Sequence, residues 1–336
     1  MARLGRRDFF ACSARAGLGL AAGALAAAPL LEATGVTGGS LGLGARRAAA
    51  ADGPAPAARG PKIACFTKSF QDRPIPEVCR MFKQIGLDGL DLTVRPKGHI
   101  EPAQVAEELP QAVAAAKQAG VEILFLTTAI TDADADAERL LAVAAEQGIR
   151  RIKLGYYRYK PFGTLVAQLA EIRKRLAEVA KLAAKHQVLP CVHVHSGAFL
   201  PSHGTQLYEL LRDFSPQEVG AYLDTGHMAV EGGLDGWRQG IDLLAPWIAL
   251  VAVKNFSWEM AGRDEQGQQV WRTRTVPIAD GVCPLPRFLA ALKSVGYAGV
   301  YSLHSEYKGS HSLRDLGTDE CLQQTATDLQ HLRSLL

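Results

Sequence analysis

Several signatures of chemistry are missing from this sequence. Its six cysteines form neither a CxxC pair nor the spacing of a zinc site, which excludes a thioredoxin-like redox centre and a cysteine zinc site. From residue 62 onward it contains no GxSxG, so the serine nucleophile of α/β-hydrolases is excluded. No glycine-rich phosphate loop follows the first strand candidate, where the segment from Cys65 to Phe70 stands instead. That absence disfavours a doubly wound sheet that binds a dinucleotide.

A large excess of charge of one sign is also absent. The formal net charge is +3, and much of the positive excess lies in Arg6, Arg7, Arg15, Arg46 and Arg47. Proteins that bind nucleic acid need a clustered basic surface. We therefore expect no nucleic-acid partner.

The N-terminus has the pattern of an export signal. Arg6 and Arg7 begin a run that resembles the twin-arginine signal, an apolar stretch from Ala11 to Leu31 follows, and small residues end at Ala51. We predict a signal peptide over residues 1–51 and a flexible lead over residues 52–61. The alternative is a membrane anchor. Export implies the twin-arginine translocase as a partner and a periplasmic or extracellular location.

From residue 62 onward, short apolar runs alternate with longer helical patterns, as expected for βαβ units around a parallel sheet. The strand candidates are Ile63–Phe66, Gly89–Val94, Glu122–Thr127, Ile152–Leu154, Val188–Val194, Val219–Leu223, Ala249–Lys254 and Gly299–Leu303. Apolar residues recur at threes and fours between Leu165 and Ala183, which predicts a helix with one buried face. The count and length favour a single (β/α)₈ TIM barrel over residues 62–336, with the open sheet as the alternative.

One connection is unusually long, from Asn255 to Pro286. Loops of that length inside a compact domain are mostly functional lids or disordered segments. Trp258 and Trp271 lie within it and argue against disorder, so we expect a lid.

Ionisable residues stand at the ends of five strand candidates, the second and the fifth to eighth. Alternation along a strand places His193 and His195 on one face, and likewise His304 and Glu306. Buried groups of this kind are costly unless they are paired or bind a metal. Together with Asp224 they predict one site at the carboxyl ends of the strands, where TIM barrels carry their chemistry.

These ends carry a family resemblance. The motif DTGH from Asp224 to His227, the segment GLDGLDL from Gly86 to Leu92 and the segment HVHSG from His193 to Gly197 resemble motifs of one superfamily. It is the xylose-isomerase-like TIM barrel superfamily of sugar isomerases, epimerases and dehydratases, with the fifth strand most similar to inosose-dehydratase-like members.

Members of that superfamily usually hold one divalent metal. The resemblance implies His193, Asp224 and Glu306 as ligands of one Mn²⁺, Zn²⁺, Co²⁺ or Fe²⁺ ion, because a mixed set of imidazole and carboxylate suits these ions better than Ca²⁺. The seventh strand departs from the family pattern, with Ala252-Val253-Lys254-Asn255 where HxKD is expected. Either His304 or His195 completes the ligand set, or the site is weak or lost.

The resemblance implies an isomerase, epimerase or dehydratase-like lyase that acts on a carbohydrate. Such enzymes remove a proton from a carbon next to a carbonyl and stabilise the enediolate that forms, by a metal or, if the metal is lost, by Lys254. The candidate catalytic residues are Glu306, His227, Lys254 and His195. The candidate substrate-binding residues are Arg95, His99, Tyr156, Trp258 and His304.

Other readings stay open at this point. A barrel that binds a sugar without catalysis is supported by Ala252, but a pure binder has little need for several titratable groups in one place. DNA-repair endonucleases of the same superfamily need more metal ligands than this chain retains. Isomerase and lyase are not separated, and a homo-oligomer is left open.

Overall fold

The computed structural model describes residues 60–336. The predicted signal peptide and residues 52–59 of the predicted lead lie outside this range. The strands are β1 Ile63–Phe66, β2 Gly89–Val94, β3 Glu122–Thr128, β4 Arg151–Lys153, β5 Tyr157–Arg158, β6 Leu189–His193, β7 Phe199–Leu200, β8 Gly220–Asp224, β9 Ile248–Val253, β10 Asn255–Arg263, β11 Gln269–Val276 and β12 Val300–Leu303. The α-helices are α1 Ile75–Ile85, α2 Val105–Ala119, α3 Ala135–Glu146, α4 Leu165–Lys185, α5 Gly204–Leu211, α6 Thr225–Gly232, α7 Gly236–Leu244, α8 Leu285–Ser294 and α9 Thr318–Leu335.

Eight of these strands close a parallel barrel in the order β1, β12, β9, β8, β6, β4, β3, β2. They are the eight strands predicted from the sequence, with ends that differ by at most one residue. The (β/α)₈ barrel is therefore confirmed, and the open sheet is wrong. Strands that are buried on both faces have continuous apolar sequences, and this is why the alternation of strands and helices could be predicted from the sequence.

The helices pack one apolar stripe each against the barrel. In α4, Ile172, Leu176 and Val179 are buried, and Leu169 packs against the same core. Their spacing of three and four residues places them on one side of the helix. The predicted stripe of this helix is therefore confirmed.

The long connection after β9 is ordered as a hairpin. Strands β10 and β11 pair antiparallel, with Phe256 opposite Thr275 and Trp258 opposite Thr273. Residues directly opposite each other share a face of the ribbon. The hairpin extends from the carboxyl end of the barrel, where the predicted lid was expected. The sequence pattern did not predict that the two strands of this segment pair with each other.

Five free cysteines occur in the described part of the chain, and all of them are buried. This placement agrees with a packing role. Among residues 60–336 no helix is both long enough and apolar enough to cross a membrane.

A buried carboxyl group ties α9 to two loops. Asp328 is 2% exposed, and its side chain accepts hydrogen bonds from the Tyr307 hydroxyl, from Gln324 Nε2 at 3.0 Å and from the Ile278 backbone at 3.4 Å. Burial raises the pKa of Asp328 to about 6, although the hydrogen bonds act in the opposite direction.

This raised pKa predicts a pH-dependent cost. Because the folded state binds the Asp328 proton more tightly than the unfolded state, the contribution of this group to stability is fully present below pH 4 and declines as pH rises through about 6. We expect Asp328→Asn to become more stable relative to wild type by up to about 3 kcal/mol between pH 4 and pH 7. Urea unfolding across this range measures the difference, and the exposed Asp280→Asn serves as control. A difference that does not change with pH contradicts the assignment.

Candidate active site

The ionisable strand ends meet at the carboxyl end of the barrel. Asp224 ends β8, His193 ends β6, and Lys254 and Glu306 follow β9 and β12. Asp224 and His193 are almost completely buried, while the side chains of Lys254 and Glu306 are 11% and 13% exposed. The predicted convergence of groups from separate strands is present in the structure.

Lys254 is the centre of this cluster. Its ammonium nitrogen lies 3.2 Å from Asp224 Oδ2, 3.2 Å from Glu306 Oε2 and 2.7 Å from His227 Nε2. Lys68, which follows β1, donates to the other oxygen of Glu306 at 2.6 Å. One ammonium group therefore bridges both carboxylates, and a second one neutralises Glu306 from the cavity side.

The position of Lys254 is set by the helix that follows β8. The Thr225 hydroxyl donates to the Lys254 carbonyl at 2.6 Å and accepts from its backbone N–H at 3.0 Å. A Cβ atom on Gly226 would stand 3.0 Å from Lys254 Cγ, so the glycine leaves room for the lysine stem. Two residues of the DTGH motif thus hold the lysine in place.

His227 is oriented by its two neighbours. Because the Lys254 ammonium donates to Nε2, the imidazole proton is on Nδ1, where it donates to Ser196 Oγ at 2.8 Å. The ring of His195 contacts that of His227, with 3.8 Å between centroids and the planes tilted by 35°, and His195 Nδ1 lies 3.0 Å from the Ser196 carbonyl. These three residues form one polar wall of the site.

His193 lies beside this wall, with its ring centre 5.9 Å from that of His227. Its Nε2 faces Asp224 Oδ2 at 3.3 Å without the alignment of a hydrogen bond, and its Nδ1 lies 3.0 Å from the Tyr156 hydroxyl. Beneath it, Lys153 is 1% exposed and places Nζ 3.4 Å from the centre of the Tyr156 ring. Burial lowers the pKa of Lys153 well below its usual value, and this nitrogen has no hydrogen-bond partner among the described residues.

His304 and Asp91 lie deeper in the barrel. Nε2 of His304 is 2.9 Å from the Tyr222 hydroxyl, and Nδ1 is 3.9 Å from both Asp224 Oδ2 and Glu306 Oε2. Asp91 accepts hydrogen bonds from Thr127, Tyr222 and Ser302. This network fills the barrel interior with polar groups that are paired with one another.

Mutual neutralisation decides the charge states. Burial raises the pKa of Glu306, but Lys254 and Lys68 outweigh burial and hold that pKa well below its usual range. Burial lowers the pKa of Lys254, but Asp224 and Glu306 raise it above its usual value. Burial also lowers the pKa of His193 to about 3 and of His195 to about 4. At neutral pH Glu306 is therefore ionised, Lys254 is charged, and His193 and His195 are neutral.

A cavity of about 230 Å³ opens onto this cluster. It is lined by Lys68, His195, His227, Lys254, Glu306 and, from the hairpin, Phe256, Thr273 and Thr275. Pockets for drug-sized ligands measure about 300–1,000 Å³, so this one suits a smaller molecule. A wider depression of about 1,010 Å³ lies at the amino ends of the strands, away from the cluster.

The predicted substrate-binding residues are distributed unevenly. Trp258, 46% exposed, shares the hairpin face of cavity-lining Thr273, and Tyr156 and His304 contact the cluster directly. Arg95 stacks over Phe66 at 5.4 Å, and Phe66 stacks in turn on His304. His99 is not part of the cluster, since its ring nitrogens lie 3.1 Å from Thr67 Oγ1 and from the Phe70 carbonyl.

The predicted metal ligands do not fit a divalent ion as they stand. Within residues 60–336 no group of three or more His, Cys, Asp and Glu side chains has the arrangement of a metal site. Asp224 and Glu306 both direct an oxygen at the Lys254 ammonium, so an ion between the same oxygens would face a positive charge at contact distance. Ala252, in place of the expected histidine, is buried among apolar side chains inside the barrel.

Three residues with clear roles here were not singled out from the sequence. Lys68 and Lys153 follow or end strands that otherwise read as apolar, and only the closed barrel brings them to the site. Asn255 Nδ2 donates to the carbonyls of Ile278 and Cys283, which an ionised aspartate cannot do, and Oδ1 accepts from two backbone N–H groups. Its amide therefore anchors the segment after the hairpin.

Comparison with known proteins identifies the family. The model of the xylose isomerase-like TIM barrel family matches residues 79–335. The chain belongs to this family. No curated protein shows significant similarity to the sequence.

Several solved structures share the fold at low sequence identity. A 3-keto-D-glucoside 4-epimerase from E. coli has 15% identity and a TM-score of 0.58, with 82% of this chain and 99% of that chain covered. A probable 3-DHS dehydratase from Bacillus anthracis has 18% identity and a TM-score of 0.58, with coverage of 80% and 98%. A family protein from Mycobacterium smegmatis in complex with magnesium has 16% identity and a TM-score of 0.57, with coverage of 82% and 97%.

Proposed function

We propose that this protein moves a proton at a carbon next to a carbonyl in a sugar or polyol, and so isomerises, epimerises or dehydrates it. One observation carries the proposal. The Lys254 ammonium and the Glu306 carboxylate lie 3.2 Å apart at the end of a small cavity, in the place where TIM barrels carry out chemistry. A cation beside an ionised carboxylate supplies both requirements of enolisation, a charge for the oxygen and a base for the carbon.

In the proposed reaction Lys254 donates a hydrogen bond to the substrate carbonyl oxygen. Glu306 accepts the proton from the neighbouring carbon, and the electron pair of the broken C–H bond forms the enediolate. As negative charge grows on the substrate oxygen, the Lys254 ammonium interacts more strongly with that oxygen and less strongly with Glu306. The pKa of Glu306 therefore rises, and the carboxylate becomes a stronger base. A proton returned to the same carbon from the opposite face gives an epimer, and a proton returned to the former carbonyl carbon gives an isomer once a hydroxyl proton has moved between the two oxygens. Alternatively, the enediolate expels the hydroxyl group of the next carbon, which takes the proton held by Glu306 and leaves as water to give the dehydrated product.

The histidines support proton return. His227 is 2.7 Å from Lys254 and His195 contacts His227, so both are in reach of a substrate held by the lysine. Burial lowers the pKa of each ring, and neutral imidazoles accept and relay protons. We assign them to the transfer of the second proton.

The substrate class follows from the walls and the expected compartment. Trp258 lies on the same hairpin face as cavity-lining Thr273 and offers a stacking surface, and we propose that it covers the sugar ring. Export by the twin-arginine route to the periplasm or beyond favours free keto-sugars or 3-keto-glycosides over sugar phosphates. The similar E. coli structure is that of a 3-keto-D-glucoside 4-epimerase, which supports this choice.

Deuterium exchange tests the proposal. The full chain is incubated in D₂O with ketohexoses and with 3-keto-glucosides, and proton NMR follows the carbon next to each carbonyl. We expect solvent deuterium at that carbon in at least one substrate, because the abstracted proton exchanges with solvent before it returns. Binding by calorimetry without exchange in any substrate contradicts the enzyme and supports the sugar-binding barrel instead.

A further inference from the structure

We propose that the ammonium group of Lys254 takes the place of the family's divalent metal. In this proposal the protein binds no metal tightly, and replacing Lys254 with an uncharged residue creates a metal site. The inference deepens the proposed function by stating that no metal ion shares with Lys254 the stabilisation of the substrate oxygen. It rests on that function only for this role, since metal binding is measured without substrate.

The first argument is position. Nζ of Lys254 lies within 2.7–3.2 Å of a carboxylate oxygen from β8, a carboxylate oxygen after β12 and an imidazole nitrogen of α6. Two of these groups, Asp224 and Glu306, are predicted metal ligands. The lysine therefore forms an ion pair with Asp224 Oδ2 and donates a hydrogen bond to Glu306 Oε2, and these are oxygen atoms that an ion would coordinate at about 2.0–2.2 Å.

The second argument is the loss of a family ligand from β9, the seventh strand of the barrel. This strand has Ala252 where its relatives are expected to supply histidine, and Ala252 is directly opposite Asp224 in the sheet. Lys254 stands two positions further on, which places it on the same face of the strand. The family pattern HxKD also has lysine at this position, so the departure that matters is the loss of the neutral histidine ligand, with Lys254 lying between the remaining acidic groups.

The third argument is that the lysine is built into the site rather than mobile within it. Its backbone is held from both sides by Thr225, its stem passes the unsubstituted Cα of Gly226, and its side chain is 11% exposed. A surface lysine that reached in by chance would lack these supports. Because both carboxylates already neutralise it, a second cation gains little from the same oxygens.

Metal analysis and cobalt titration test the inference. The full chain, purified without chelator or nickel resin, is analysed by plasma mass spectrometry and then titrated with Co²⁺ by visible absorption. We expect well below one equivalent of transition metal in wild type. In Lys254→Ala, where Asp224, Glu306 and His227 lose the ammonium group that they contact, we expect Co²⁺ affinity to rise on the order of 100-fold.

Control variants separate the site from general effects. Lys254→Met keeps the volume of the side chain without its charge, so it should also gain Co²⁺ affinity if Lys254→Ala is too unstable to measure. The exposed Lys181→Ala should bind as wild type does, and adding Asp224→Ala to either Lys254 variant should abolish the gain. About one equivalent of metal retained by wild type, or equal Co²⁺ affinity in wild type and the Lys254 variants, overturns the inference. Deuterium exchange that fails while the metal results hold would refute only the proposed reaction.

Discussion

Replacing Glu306 with glutamine is expected to lower kcat for deuterium exchange by about 10³-fold. Glutamine has nearly the same shape, but its amide cannot accept the carbon proton. The loss should appear in kcat with little change in KM, because Lys254 still binds the substrate oxygen. The fold should survive, since Asp224 remains 3.2 Å from the Lys254 ammonium and continues to neutralise it.

The control for this change is Glu171→Gln, on the exposed face of α4. It removes the same charge far from the cluster and should leave kcat unchanged. Melting temperature is recorded for both variants so that a loss of structure is not taken for a loss of chemistry. A Glu306→Gln enzyme within tenfold of wild type would show that another group, His227 or His195, is the base.

Replacing Lys254 with methionine is expected to lower kcat by about 10² to 10³-fold when the assay contains a chelator. Methionine preserves the apolar stem and removes the charge that stabilises the enediolate. The same change leaves Asp224 and Glu306 without their shared cation, so their mutual repulsion should also lower the melting temperature.

The chelator is needed because the variant is expected to take up metal. Wild type should show the same rate with and without chelator, and Lys181→Met should match it. If Lys254→Met keeps the wild-type rate in chelator, the lysine has a structural role and does not act on the substrate oxygen.

The residues at the carboxyl end of the barrel could be predicted because the sequence features that mark them lie within a few neighbouring positions. A parallel strand buried on both faces is a short apolar run, and a polar residue at its end stands out against that run. His193, Asp224 and Glu306 were found in this way, and barrel closure brings together strand ends that are far apart in sequence. His99 had the same appearance at the end of the second strand, yet its ring nitrogens are taken by Thr67 and the Phe70 carbonyl.

The hairpin is a feature that the pattern of neighbouring residues predicts only in part. A long segment with two tryptophans predicts order and a position over the site. Whether it pairs with itself depends on which of its residues find partners, and only the structure shows Trp258 opposite Thr273. That pairing is what sets Trp258 on the face that leads into the cavity.

The sequence by itself determined the barrel, its eight strands and the groups at their carboxyl ends. The periodicity of apolar residues, and the polar residues that interrupt an apolar run, can both be recognised from neighbouring positions in the chain. Only the tertiary structure decided what those groups do to one another. The distances from Lys254 to Asp224, Glu306 and His227, the second ammonium of Lys68 and the buried Lys153 join residues from separate strands. Charge states in such a cluster depend on distances of a few ångströms, and those distances exist only once the barrel is closed.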